Sequence, residues 1–225
     1  MNATFQSLLS GLERRFGRHR GIRNLMMLIV IAMGAVYVFD YILGSVLGIR
    51  LANYLVFDRR LVMQGQVWRL LTFMIVPPGG GLLFVAMELL FVYFAGNMLQ
   101  NRWGTLRLNL FYLTGMLGTL IAGFFTNYAS SYYINMSLLL VVAILYPDLQ
   151  VNLYGVLPIR MKWLALLEVL LLLPGILSGS WGTRIAIIVS LINVLLYLSG
   201  ELMQRIQTIK RRRAWKRNWR GSPWR

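Results

Sequence analysis

The chain has 225 residues, 58% of them hydrophobic and only 13% charged, where a soluble domain carries about a quarter charged residues. Its formal charge of +16 is concentrated, with nine of the 23 Lys and Arg between Arg205 and Arg225 and five between Arg14 and Arg23. Such clusters mark the cytoplasmic flanks of membrane segments rather than a nucleic-acid surface, and the absence of cysteine excludes disulfides, thiolate catalysis and cysteine-ligated metals.

Residues 1–23 read as a basic cytoplasmic leader. Phe5, Leu8, Leu9, Leu12 and Phe16 fall at helical spacing, with Arg14, Arg15 and Arg18 mostly off that stripe. This predicts an amphipathic helix lying on the inner membrane surface; a disordered basic leader is the other reading. No cleavable signal is evident, because the leader is interrupted by glycine and the first apolar run is long enough to stay.

A spanning helix needs about 20 apolar residues. Within residues 24–204 six segments meet or approach that length: about Leu25–Leu47, Leu82–Leu99, Leu106–Phe125, Tyr132–Tyr146, Trp163–Leu177 and Ile185–Met203. The expected architecture is therefore an all-α, six-helix membrane bundle. With both termini inside, eighteen Lys and Arg lie on the cytoplasmic side and five outside, namely Arg50, Arg59, Arg60, Arg69 and Arg184. That bias fits an even number of spans in a multi-pass protein of the cell (plasma) membrane.

Residues 48–78 are too long and too apolar for a simple connector, and Leu70–Val76 is too short to cross. A part-inserted first loop fits, because backbone at membrane depth survives only where protein or water satisfies it. Trp68 and Arg69 would then sit at headgroup level, Trp as an anchor and Arg snorkelling.

Three stretches carry a family resemblance: Gly65-Gln66-Val67-Trp68-Arg69; Phe94 to Leu99 with Gly96, followed by Arg102-Trp103-Gly104; and Tyr146-Pro147-Asp148 with Leu157 to Leu164. In register on six segments, they resemble the rhomboid superfamily, which includes the derlins, and look closest to bacterial rhomboid-like proteins that lack cysteine. The resemblance implies a membrane bundle with a short fourth helix, local membrane thinning and a partly hydrated cavity. It breaks at the chemistry. Where a rhomboid protease has Gly-x-Ser-Gly, residues 130–137 read Ser-Ser-Tyr-Tyr-Ile-Asn-Met-Ser, and the sixth segment holds no histidine.

Elementary chemistry agrees. A serine needs a base within hydrogen-bond reach, and the one histidine is His19 in the leader. All three lysines, Lys162, Lys210 and Lys216, flank segments on the inner side. A single histidine gives no usual zinc site, and no Gly-x-Gly-Asp marks an aspartyl protease. The expectation is a catalytically inactive protein with no catalytic residue, metal or cofactor.

Ionisable residues in spanning segments cost about 2.5–3.5 kcal/mol each, so each asks for a reason. Glu88 falls where the resemblance places a polar residue of the second helix. It either binds a partner helix, or pairs with Tyr132, Tyr133 or Asn135, or is neutral in the bundle. Glu168 suggests an internal hydrogen bond between helices, and Asp40 a pairing with Arg59 or Arg69. Gly115, Gly118, Thr119, Ala122 and Gly123 give small-xxx-small spacings for close helix approach.

Residues 205–225 form a basic tail in which Arg211, Arg212, Arg213, Lys216 and Arg217 alternate with Trp215 and Trp219. Each basic residue near an anionic surface contributes about 1 kcal/mol, so the tail should bind the inner leaflet, in preference to RNA. Functionally the chain reads as a rhomboid-like pseudoprotease binding transmembrane segments of client proteins and affecting their handling or turnover. Its binding candidates are Glu88, Asn135, Ser137, Trp68 and Arg69. The alternatives are a protease with a non-standard site on Ser137 or Ser190, or a small-solute transporter; the latter predicts inverted repeats, which are not visible.

Overall fold

The computed structural model describes residues 2–17, 21–77, 79–127, 129–153 and 157–220. Side chains are described within these ranges except at residues 2–6, 8, 16, 152, 153 and 157; beyond residue 200 they are described only at Arg211 and Trp215.

Helix α1 (Asn2–Phe16) forms as its periodicity predicts. It does not lie free on the membrane surface, however. Leu9 is 4% exposed within the main core, and the helix packs on α7 (Thr105–Thr126) and α10 (Trp181–Arg220). Part of its apolar stripe is therefore covered by protein.

The long apolar helices follow the hydropathy pattern: α2 (Leu25–Leu47), α6 (Leu82–Trp103), α7 (Thr105–Thr126), α8 (Tyr132–Leu145), α9 (Met161–Leu177) and α10 (Trp181–Arg220). Four of them are long and apolar enough to cross a membrane: α2, α6, α7 and the Trp181–Gly200 part of α10. At 1.5 Å per residue the 14-residue α8 reaches only about 21 Å against a hydrocarbon core of about 30 Å.

Helix α8 is nonetheless the centre of the bundle. Ten of its 14 residues are buried, and it packs on α6, α7, α9 and α10. Helix α2 shows the opposite pattern, apolar all round with only Met26, Met33 and Val36 buried. The remaining apolar surface of α2 suits lipid, since a helix hydrophobic on every side needs either a core or a bilayer.

Close helix contacts fall at a motif glycine, Gly96, and on the small-residue stripe of α7. A Cβ on Gly96 would lie 2.0 Å from Met26 Cγ, which fixes the approach of α6 to α2. A Cβ on Gly118 would lie 2.6 Å from Val189 Cγ1, so the small stripe of α7 serves packing on α10 within the chain. Between α6 and α7, Gly104 has φ +86°, a conformation L side chains avoid. Its N–H donates to Gln100 O, closing α6. Trp103 beside it is buried and stacks edge-on to Phe111, 5.8 Å between ring centres.

One feature departs from the all-α expectation. The connection from α8 to α9 is an antiparallel hairpin of β1 (Gln150–Leu153) and β2 (Leu157–Arg160). Pairing continues past it, with Met161 N–H donating to Leu149 O and Lys162 N–H to Pro147 O. Val151 and Ile159 face each other across the pair; alternation this short is hard to see beside long apolar runs.

The first loop is built from α3 (Ala52–Leu55), α4 (Arg59–Met63), α5 (Arg69–Thr72) and a 3-10 turn (Phe73–Ile75). Arg69 corrects its assigned place. It does not snorkel: it is 3% exposed and its guanidinium donates to Gln66 Oε1 (2.8 Å), Asn53 O (2.9 Å) and Val56 O (2.7 Å). Thr72 Oγ1 adds a bond to Leu55 O at 2.9 Å. The short helices leave backbone carbonyls with no helical partner, and a planar fork of donors serves several of them at once. Trp68 stays 49% exposed, its Nε1 donating to Tyr54 O at 3.3 Å, as suits an interfacial ring. Asp40 meets neither Arg59 nor Arg69; it pairs with Arg50 at 3.4 Å and accepts from Ala52 N–H at 2.8 Å.

Candidate functional site

The bundle brings three polar side chains together from three helices. Glu88 stands on α6, Tyr112 on α7 and Asn135 on α8. The Tyr112 hydroxyl donates to Asn135 Oδ1 at 3.1 Å, with both residues buried. The half-buried Glu88 carboxyl lies against the Asn135 side chain and within electrostatic range of Tyr112. Asn135 Nδ2 is buried with no partner at hydrogen-bond distance among the described residues. Its orientation is set by its neighbours: with Oδ1 turned to Tyr112, N–H groups face the carboxyl, whereas a flipped amide would set two acceptors together.

Of the five binding candidates, Glu88 and Asn135 are joined. The other three are not part of the group. Ser137 stands two residues from Asn135, about 200° around the helix. It is 1% exposed and its hydroxyl donates to Ile134 O at 2.5 Å. Arg69 is committed to the first loop, and Trp68 faces outward there.

Tyr112 belongs to the site although sequence reading passed it over. The available signal was a tyrosine inside a spanning helix, whose hydroxyl needs a partner when buried. A second group was missed in the same way. Asn193, on α10, donates through Nδ2 to Phe111 O at 3.0 Å, and its Oδ1 accepts from Thr114 Oγ1 at 2.9 Å. Thr114 also lies 3.4 Å from the Tyr197 hydroxyl. These bonds satisfy Asn193 and tie α7 to α10.

Glu168 contradicts the hydrogen bond expected of it. It is 3% exposed on the inward stripe of α9 with Met161 and Leu172, yet neither carboxyl oxygen has a hydrogen-bond partner among the described residues.

The motif residues have structural work. Gly65, at φ +102°, turns the chain after α4, and Gln66 orients Arg69. Pro147 O receives Lys162 N–H where the hairpin closes. In the tail, Arg211 and Trp215 are exposed on α10. The side chains of Arg212, Arg213, Lys216, Arg217 and Trp219 lie outside those described.

A family described as "Eukaryotic integral membrane protein (DUF1751)" matches residues 30–200. No curated protein matches the chain. The expected bacterial likeness is overturned by that description: the short motifs are common to a fold and do not carry the kingdom of origin. Since the match covers well over half of the chain, from α2 to the end of the membrane part of α10, this protein belongs to that family of integral membrane proteins, within the rhomboid-like superfamily.

Proposed function

We propose that the protein is a non-proteolytic rhomboid-like membrane protein that binds membrane-spanning segments of client proteins and affects their handling or turnover. The carrying observation is the Glu88–Asn135 pair, a carboxyl beside an unpartnered buried amide donor. Polar groups at membrane depth are retained where they meet one another or a ligand, and here a carboxyl lies against an amide whose Nδ2 has no partner at hydrogen-bond distance among the described residues. Proteolysis has little to build on. Ser137 is enclosed and bonded within its own helix, and the chain's one histidine is His19, in the leader.

In this proposal α8 and α9 complete six spans, both termini face the cytoplasm, and the 14-residue α8 thins the bilayer locally. The basic tail contacts anionic lipid. A tagged copy imaged in a eukaryotic cell tests the plasma-membrane placement, which a location on internal membranes overturns.

The direct experiment places a photoreactive residue at position 88 and identifies what it traps in native membranes. Discrete membrane proteins crosslinked at 88, and not at the lipid-facing position 90, support client binding. Lipid alone at both positions sinks it. A fluorophosphonate probe addresses the enzymatic alternative: labelling lost on Ser137→Ala or Ser190→Ala would overturn the inactive reading.

A further inference from the structure

We infer that the Glu88–Asn135 site selects client segments carrying a side-chain carboxamide, Asn or Gln, at membrane depth. This rests on the client-binding role proposed above and adds the chemistry of recognition.

The selection follows from the count of donors and acceptors. Tyr112 occupies Asn135 Oδ1, so the amide offers the remaining group, Nδ2, which is buried and unpartnered. The Glu88 carboxyl beside it is an acceptor. A visiting group therefore meets one donor and one acceptor side by side. An ammonium or guanidinium has donors only. It satisfies Glu88 but leaves the Asn135 N–H groups unpaired, and an unpaired buried donor carries its full desolvation cost. A hydroxyl has both functions on one atom and cannot span the two groups as readily. A carboxamide has both functions on adjacent atoms: its C=O accepts from Asn135 Nδ2 while its NH2 donates to Glu88.

The client side matches. An Asn or Gln within a spanning segment has donors and acceptors that hydrocarbon cannot serve, so it seeks a helix that can. Access is from the Glu88 side, since Glu88 is partly exposed and Asn135 buried, and needs a small shift of the Glu88 side chain that keeps its carboxyl beside Nδ2.

The test uses the full chain in proteoliposomes with labelled host peptides, each a Leu/Ala spanning helix with a single central Asn, Lys or Leu. Association is read by energy transfer. The Asn peptide should bind about tenfold tighter than the Leu peptide, the ratio that about 1.4 kcal/mol supplies, and also tighter than the Lys peptide. Asn135→Asp turns the donor into a second acceptor and should reverse the order, with Lys ahead of Asn. Tyr112→Phe frees the amide to flip and should reduce the Asn preference without favouring Lys, which keeps the inference testable if the Asp variant fails to fold. Equal binding of the three peptides, or Lys ahead of Asn on the unaltered protein, overturns carboxamide selection while client binding stands. Absence of binding by every peptide overturns the client-binding reading itself.

Discussion

Arg69 and Glu168 are equally buried, each 3% exposed, the two most enclosed among the described Asp, Glu, Lys and Arg residues. Their surroundings are opposite. Arg69 donates to two backbone carbonyls and the Gln66 amide, whereas both oxygens of Glu168 are without a hydrogen-bond partner among the described residues. Burial alone therefore does not tell what a charged residue is for. A fully bonded one holds structure together; an unbonded one is a cost that the surrounding packing must offset.

Replacing Arg69 is the strongest way to break this contrast. Arg69→Ala removes the fork that ties Gln66 to the end of α3 and leaves Asn53 O and Val56 O without that donor. The expected loss is about 3 kcal/mol, the upper range for hydrogen bonds made by a charged group. Arg69→Lys should recover only part, because a point ammonium cannot reproduce the planar fork. Thermal unfolding in nanodiscs measures both. A loss below about 1 kcal/mol for the alanine variant would remove the structural role from Arg69.

Asn193 extends the contrast to a neutral group. It is buried, and both ends of its amide are bonded between α7 and α10. Asn193→Leu removes both bonds between α10 and α7, with an expected loss of about 1–3 kcal/mol for two neutral hydrogen bonds. The same melting assay reads it. An unchanged midpoint would mean that these bonds are readily replaced within the helices.

Glu168 should behave in reverse. Glu168→Leu removes an unsatisfied group at little change in volume and should stabilise the protein by about 1–2 kcal/mol. A stabilised variant that has lost a cellular role would assign Glu168 to function. A destabilised variant would show that the carboxyl is bonded in the membrane, which would end its opposition to Arg69.

Much of the fold was readable from apolar run length. Five of the six apolar helices fall within a few residues of the expected segments, and α10 starts near its own but runs on to Arg220; continuous hydrophobicity needs no tertiary information to be recognised. Crossing by all six did not follow from that, since α8 with 14 residues is short for the bilayer. The hairpin at Gln150–Arg160 was not visible, as four-residue strands depend on register with a partner. The site was half readable. Glu88 and Asn135 stood out as polar residues in apolar segments, but the bond from Tyr112 depends on how α7 meets α8. Arg69 was recognised as important and misplaced: position in a motif indicates that an arginine is needed, while only the loop carbonyls indicate that it turns inward.

The smallest expected effect separates two neighbours that the motif presents as a unit. Trp68 and Arg69 are adjacent, yet Trp68 is 49% exposed and makes one long bond, Nε1 to Tyr54 O at 3.3 Å. Trp68→Phe keeps an aromatic ring in place and gives up that bond. A single neutral hydrogen bond contributes about 0.5–1.5 kcal/mol net, and partial exposure places this one at the lower end. The expected loss is therefore about 0.5 kcal/mol in detergent. If the ring anchors the loop at the headgroups, Trp68→Ala should cost more in nanodiscs than in detergent, since the interfacial contribution needs an ordered bilayer. Arg69→Ala, acting through internal bonds, should cost nearly the same in both. Equal dependence on the bilayer at the two positions would mean that Arg69 also reaches the headgroups, and that its carbonyl bonds are not what holds the loop.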